Sequence, residues 1–356
     1  FLAGDKPGFT GEEGVTEHLM DIAGRHGLEI SRQPVLPGRK NLLVRLRPPG
    51  RIRQRVLLAP HMDVVPAEDS QFKPRIRDNR LHGRGACDTK GCVATYFHVL
   101  CQLARQRKRP ANTEIIFVGL VDEEHMQSGS RAYAKRGPKA DLAIVGEPTR
   151  LQVVTAHKGD LWWQLGVDGK AAHGATPHLG RSAVHRMARI VDVLLTEYTD
   201  TLRDRHHPLL GKPTINIGVI QGGTQANIVP DRCTIDIDRR TLPGETESTV
   251  RRQIQSVLKK HRLSADWLDL RGVPCDPLET DPDLPLVRQL MKCANRRRTT
   301  GVDFFTDASL MASGGTPSVL YGPGDIAQAH TGDEWIDLGQ LERAAAVLKR
   351  FLEELP

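Results

Sequence analysis

The run Ile115-Ile-Phe-Val-Gly-Leu-Val-Asp-Glu-Glu124 sets three adjacent carboxylates at the end of a stretch rich in apolar and β-branched residues. Such a stretch suits an interior strand of a parallel sheet, buried on both faces. The C-terminal edge of a parallel sheet is where α/β proteins seat their ligands. Three neighbouring acids there repel one another unless a cation or a proton neutralises them. A solvated acidic loop is the alternative for an isolated triplet, so the other strand ends decide between the two.

Two more apolar runs end in the same way. Arg55-Val-Leu-Leu-Ala-Pro-His61-Met-Asp63 reads as a buried strand with His61 and Asp63 at its tip. Residues two apart on an extended segment point the same way, so Asp63 can orient the His61 ring while the other ring nitrogen binds a metal. Asp141-Leu-Ala-Ile-Val-Gly-Glu147-Pro-Thr149 is a third strand, and Pro148 favours an extended backbone at Glu147. Between the first two lies Gly83-Arg-Gly-Ala-Cys-Asp88-Thr-Lys-Gly91, followed by an apolar helix from about 92 to 106. Its glycines permit a tight turn, and Asp88 can either cap the helix or face the strand ends. No dinucleotide or P-loop glycine pattern is matched.

At 356 residues the chain is long enough for two domains. From His157 to about Cys275 the expected elements become strand 161–167, helix 181–196, strands 214–221 and 233–239, and helix 246–262. This α+β segment reads as an insertion. It carries His173 in Gly-Lys-Ala-Ala-His-Gly-Ala-Thr-Pro-His, Asn227 in Asn-Ile-Val-Pro-Asp, and Arg240 before Thr-Leu-Pro-Gly. The first domain then resumes with a helix around 284–297, the segments Phe304-Phe-Thr-Asp307 and Ala329-His330-Thr-Gly-Asp-Glu334, and a closing helix over 338–352. The expectation is an α/β catalytic domain, residues 1–157 with 276–356, whose mixed and mostly parallel sheet has helices on both faces. An α+β domain, residues 158–275, is inserted in it. Amphipathic periodicity also predicts a helix near 12–27 and a short strand at 41–46, while the Pro- and Arg-rich stretches 34–49 and 296–298 read as loop or solvated face.

The chain carries 50 Lys and Arg against 43 Asp and Glu, a net charge of +7, but the basic residues are dispersed, as in Arg105-Gln-Arg-Lys-Arg109. Only 4% of residues are aromatic, poor material for stacking on bases, so nucleic acid is not an expected partner. No apolar run has the length of a membrane span, and no membrane partner is expected. The six cysteines lack Cys-x-x-Cys spacing and fit free thiols in a reducing compartment. A cytoplasmic location is expected. The chain opens on Phe1 rather than Met, which leaves room for a lost targeting segment.

His61, Asp88, one of Glu123 and Glu124, Glu147 and His330 together form the nitrogen and oxygen ligand set expected for zinc, cobalt or manganese. If one carboxylate bridges, this set can hold two ions at the ~3.5–4 Å spacing common in hydrolytic pairs. The remaining acid of the Glu123-Glu124 pair is then free to act as general base, taking a proton from the attacking water and passing it to a leaving amine.

His61-x-Asp63, Gly-Arg-Gly-Ala-Cys-Asp88-x-Lys-Gly, Asp-Glu123-Glu124, Gly-Glu147-Pro-Thr and the late His330 resemble, in order and context, a known di-zinc family. It is the amidohydrolase and peptidase family of acetylornithine deacetylase, succinyl-diaminopimelate desuccinylase, aminoacylase-1 and carboxypeptidase G. The resemblance covers nearly the whole chain. It implies that Asp88 bridges two ions, that His61 and Glu147 complete one site, and that Glu124 and His330 complete the other. Glu123 becomes the general base, with Asp63 behind His61. The insertion becomes a lid through which such proteins commonly form homodimers. A lid histidine matching His173 then polarises the scissile carbonyl across that dimer, while Asn227 and Arg240 hold substrate. An Arg suits the free carboxylate of an acyl-amino acid.

The expected activity is metal-dependent hydrolysis of a linear amide, deacylating N-acyl-amino acids, with two divalent ions, zinc first and cobalt or manganese next. The motif wording Gly-Glu147-Pro-Thr and Asp-Arg-Arg240-Thr-Leu-Pro-Gly-Glu resembles the deacetylase and desuccinylase branch. The alternative is a dipeptidase or carboxypeptidase using the same centre. A catalytically inactive binding protein is a third reading, which loss of a ligand or of Glu123 would support, and neither is lost.

Overall fold

The computed structural model describes residues 11–107 and 109–356. Residues 1–10 and 108, which fall in the expected catalytic domain, lie outside the described residues. The described residues divide into two compact units, one within residues 11–155, 280–300 and 306–356, the other of 156–279 and 301–305.

The first unit is built on a mixed sheet in the strand order Glu29–Leu36, Arg39–Leu46, Thr113–Gly119, Gln54–Pro60, Leu142–Gly146, Ser318–Leu320 and the start of Val154–His157. Its four central strands, from Thr113–Gly119 to Ser318–Leu320, run parallel. The first three of them are the apolar runs whose ends carry polar groups, and burial on both faces explains their continuous hydrophobicity. Val56, Leu58, Ile115, Phe117 and Ile144 point into a core shared with helices Glu13–Arg25, Lys90–Ala104, Pro285–Cys293 and Leu338–Glu353. Alternation turns Leu57, Ile116, Val118 and Ala143 to the opposite face, where helices Ser128–Arg136 and Ala308–Ser313 pack together.

One sequence expectation is corrected here. Within the stretch 34–49 only the turn at 37–38 and residues 47–49 are loop: Pro34 and Leu36 lie in the outermost strand, Glu29–Leu36, which forms an antiparallel hairpin with Arg39–Leu46. Proline is tolerated there because an edge strand has a side that needs no donor, and the register shifts between Pro34 and Leu36. A separate three-stranded ribbon in this unit pairs Trp335–Asp337 with Arg80–His82, and that strand with Arg75–Arg77.

The second unit is an antiparallel sheet in the order Thr214–Gly222, Arg232–Thr241, Gly159–Asp168 and Asp266–Asp269. Helices Ala183–Val193 and Glu247–Lys260 cover one face, placing Met187, Ile190, Ile254 and Val257 against Trp163, Leu165, Ile235 and Ile237. Ser182 starts the first helix by accepting the His185 N–H, and Thr246 starts the second in a capping box with Thr249. The edge strand Asp266–Asp269 has no counterpart in the sequence reading. All six cysteines are buried, and no disulfide joins any of them among the described residues. Among the described residues no helix is long and apolar enough to cross a membrane.

Candidate metal centre

Parallel neighbours in the central sheet end level, and His61 pairs in a parallel bridge with Leu120. Two strand tips therefore meet. The Asp63 carboxylate accepts the backbone N–H of Glu123 at 3.1 Å and that of Glu124 at 3.0 Å. The same carboxylate lies 3.4 Å from His61 Nδ1, which is also 3.2 Å from the Asp63 carbonyl. Nδ1 is thus the donor toward Asp63, leaving Nε2 turned to Asp88 Oδ1 at 3.2 Å.

The turn before the paired glutamates is strained, with Asp122 at φ +67°. Its carboxylate is gripped by Arg39 Nη1 at 2.7 Å and by the Ser128 hydroxyl at 2.5 Å, and its backbone N–H donates to Glu12 at 3.2 Å. These bonds over-determine a conformation that a non-glycine residue otherwise avoids.

Asp88 does not cap the helix that follows it. Thr89 occupies the cap position and makes no side-chain capping bond; its hydroxyl donates to the His61 carbonyl at 3.1 Å. Asp88 instead lies between two imidazoles, with Oδ1 at His61 Nε2 and Oδ2 3.3 Å from His330 Nε2. The Asp88–Thr89 peptide is cis. Gly85, at φ +81°, lets the loop pass close to Val64, whose Cγ1 would lie 2.6 Å from an added Cβ. His330, itself left-handed at φ +61°, completes the chain of contacts by reaching Glu124 Oε2 at 3.1 Å.

Ligand atoms of His61, Asp88 and Glu124 lie within 4.8 Å of one another, the one such group of potential metal ligands among the described residues. Glu124 Oε1 is buried without a hydrogen-bond partner, an uncommon state for a carboxylate oxygen unless a cation meets it. Imidazole nitrogen with carboxylate oxygen is the donor chemistry of zinc, cobalt or manganese, so these residues fit a metal.

The electrostatics follow from burial. Burial opposes the charged form of His61, but hydrogen bonds to Asp63 and Asp88 and the field of Glu123 outweigh it and hold its pKa well above the usual value. His330, half-exposed, is raised to about 10 by its bonds to Asp88 and Glu124. Burial would raise Asp63, yet its bond to His61 and that ring's charge bring it down to about 2. Glu123 and Glu147, only 7% and 4% exposed, are pushed well above the carboxylate range. Burial is the main cause for both, His61 offsets part of it, and neighbouring acids add to it. Among those acids is Asp307, buried, bonded to the Ser130 hydroxyl at 2.5 Å and itself raised to about 7 by burial. Nothing in the spacing around Asp307 marked it in the sequence.

The remaining candidates belong to the second unit. His173 and Asn227 are exposed and adjacent: His173 bridges to Ile228, and the Gly174 N–H donates to the Asn227 carbonyl at 2.7 Å. The Ala175 N–H donates to His173 Nδ1 at 3.1 Å, so Nδ1 is the acceptor and the ring hydrogen sits on Nε2. Arg240 is already partnered, its Nε and Nη2 gripping both oxygens of Asp238 at 2.9 and 3.0 Å.

A mostly buried N/O ligand cluster on the C-terminal edge of a mostly parallel sheet defines a candidate metal centre. The chain belongs to peptidase family M20/M25/M40, whose family model matches residues 57–354. It is 34% identical to an acetylornithine deacetylase of Myxococcus xanthus over 313 residues, 85% of this chain and 80% of that one. Aminopeptidase PepT of Bacillus cereus shares the fold at a TM-score of 0.78 and 22% identity, covering 97% of this chain and 93% of that one. A dinuclear metal-binding peptidase of the M20 family from Bacillus subtilis superposes at a TM-score of 0.70 and 12% identity, covering 96% and 92%.

Proposed function

We propose that this protein removes the acyl group from small N-acyl-amino acids, using two divalent ions, zinc first, held by His61, Asp88, Glu124, Glu147 and His330. The observation that carries the reading is Asp88 standing between His61 and His330 with Glu124 alongside, the arrangement a bridging carboxylate needs. The similarity to acetylornithine deacetylase supports an acyl-amino acid as substrate.

When bound, the ions would supply Lewis acidity and lower the pKa of water. The chain's own residues do the rest. Glu123, buried beside the ligands with a raised pKa, takes a proton from the attacking water and returns it to the leaving amine as the C–N bond breaks. The products are a carboxylate and an amine. His173, with its hydrogen on Nε2, donates to the carbonyl oxygen as charge builds there. In this reading it is supplied across a homodimer formed by a lid, residues 158–275. Asn227 and the remaining N–H groups of Arg240 hold the substrate's amide and carboxylate. Six cysteines without a disulfide suit a cytoplasmic enzyme.

A second reading, a peptidase acting on dipeptides or C-terminal residues, is supported by the match to a peptidase family. The test is hydrolysis of a panel of N-acetyl- and N-succinyl-amino acids and dipeptides with zinc, cobalt or manganese added. Turnover of acyl-amino acids supports the deacylase reading, and cleavage of dipeptides alone replaces it with the peptidase.

A further inference from the structure

Glu334 has no place among the proposed ligands, yet its carboxylate is fully buried. It stands at the start of the ribbon strand Trp335–Asp337, which pairs with Arg80–His82, and the Gly83 N–H donates to its carbonyl at 3.0 Å. The ribbon thereby carries Glu334 into the loop that presents Asp88. There Oε2 accepts the Gly85 N–H at 3.0 Å and Arg84 Nη1 at 2.6 Å. Oε1 accepts the N–H groups of Cys87 at 2.9 Å and of Asp88 itself at 3.0 Å. Arg84, also buried, turns its other arm back to the carbonyl of Thr331 at 3.2 Å, the residue after His330.

An ionised carboxylate is costly to bury, and a core contact alone would be served by an apolar side chain. A charge is needed here because three backbone N–H groups of one tight loop converge on one point, an anion-binding concavity. We propose that Glu334 is a positioning residue of the metal centre. It holds the Gly83–Asp88 loop from inside and, through Arg84, fixes the backbone after His330, so that both imidazole-facing oxygens of Asp88 meet their partners. The inference rests on Asp88 and His330 being ligands, as proposed above.

Glu334→Gln keeps the shape but replaces one acceptor oxygen with a donor that faces donors. Cobalt(II) titration of the full-length protein reads the consequence, through binding strength and the visible absorption bands of the bound ion. Thermal unfolding of the cobalt-free protein reports the fold separately. Folded E334Q should bind cobalt roughly 10–100-fold more weakly, with altered bands, the loss typical when a group supporting a ligand is removed. Wild-type affinity and bands in folded E334Q overturn the inference. Should E334Q not fold, Arg84→Lys decides by the same criterion, since it keeps the charge and loses the reach to Thr331. Asp88→Asn separates the two levels of the argument: if it binds cobalt like wild type, the ligand assignment itself fails, whatever Glu334 does.

Discussion

Asp63 and Glu124 are joined across two strand tips: the Asp63 carboxylate accepts the Glu124 N–H at 3.0 Å while lying 3.4 Å from His61 Nδ1. One side chain thus orients an imidazole and anchors the acid turn. Asp63→Asn puts a donor against these N–H groups, and metal affinity should fall roughly 10–100-fold by calorimetric titration. Unchanged affinity would show that His61 is oriented by something else.

Glu123→Gln removes the proposed proton carrier and leaves every proposed ligand in place. A drop in kcat of roughly 10²–10⁴ is expected with metal content preserved, measured by steady-state kinetics and elemental analysis on the same sample. Near-full activity with metal retained sinks the assignment of the base.

Metal removal should destabilise the fold around the strand tips. A ligand held at 1,000 times its Kd adds about 4 kcal/mol to the native state, so chelator treatment should lower the unfolding midpoint by several degrees and re-addition should restore it. Identical melting curves before and after chelation contradict a structural coupling of the centre.

His157 gives a pH signature of its own. Burial lowers its pKa to about 4, its Nδ1 donates to the Lys158 carbonyl at 2.9 Å, and its Nε2 is buried without a partner. A depressed folded-state value means the contribution is whole above the ordinary pKa of 6.5 and lost as pH falls through about 4. The full loss is about 3 kcal/mol at 1.36 kcal/mol per unit. His157→Asn keeps a donor for the carbonyl and removes the titration, so its stability profile in denaturant should be flatter between those pH values.

Arg240 offers a substrate carboxylate only what Asp238 leaves free. Arg240→Lys should raise KM roughly tenfold or more with a smaller change in kcat, because a charged hydrogen bond contributes about 1.5–3 kcal/mol. An unchanged KM across the acyl-amino-acid panel removes Arg240 from substrate binding.

What was legible in the sequence follows from range. The runs ending at His61, Glu124 and Glu147 show themselves because a parallel strand must be apolar on both faces, so polar groups at its tip stand out. The helix Glu13–Arg25 and the closing helix Leu338–Glu353 follow from local periodicity. The hairpin strand Glu29–Leu36 was hidden by Pro34 and by an exposed, polar composition that only its edge position permits. Whether Asp88 capped a helix or faced two histidines could not be read locally, since the answer depends on His330, more than two hundred residues away. Glu334 and Asp307 were invisible for the same reason: their roles are set by contacts with residues 84–88 and with Ser130, and no spacing rule announces them.

The central claim is that one cluster holds two ions, and anomalous diffraction at the zinc edge from crystals of the zinc-loaded protein tests it most directly. Two peaks are predicted, sharing Asp88, each about 2.0–2.2 Å from its nitrogen and oxygen ligands, one by His61 and Glu147 and the other by Glu124 and His330. Absence of any peak within bonding distance of His61, Asp88 and Glu124 would contradict the account.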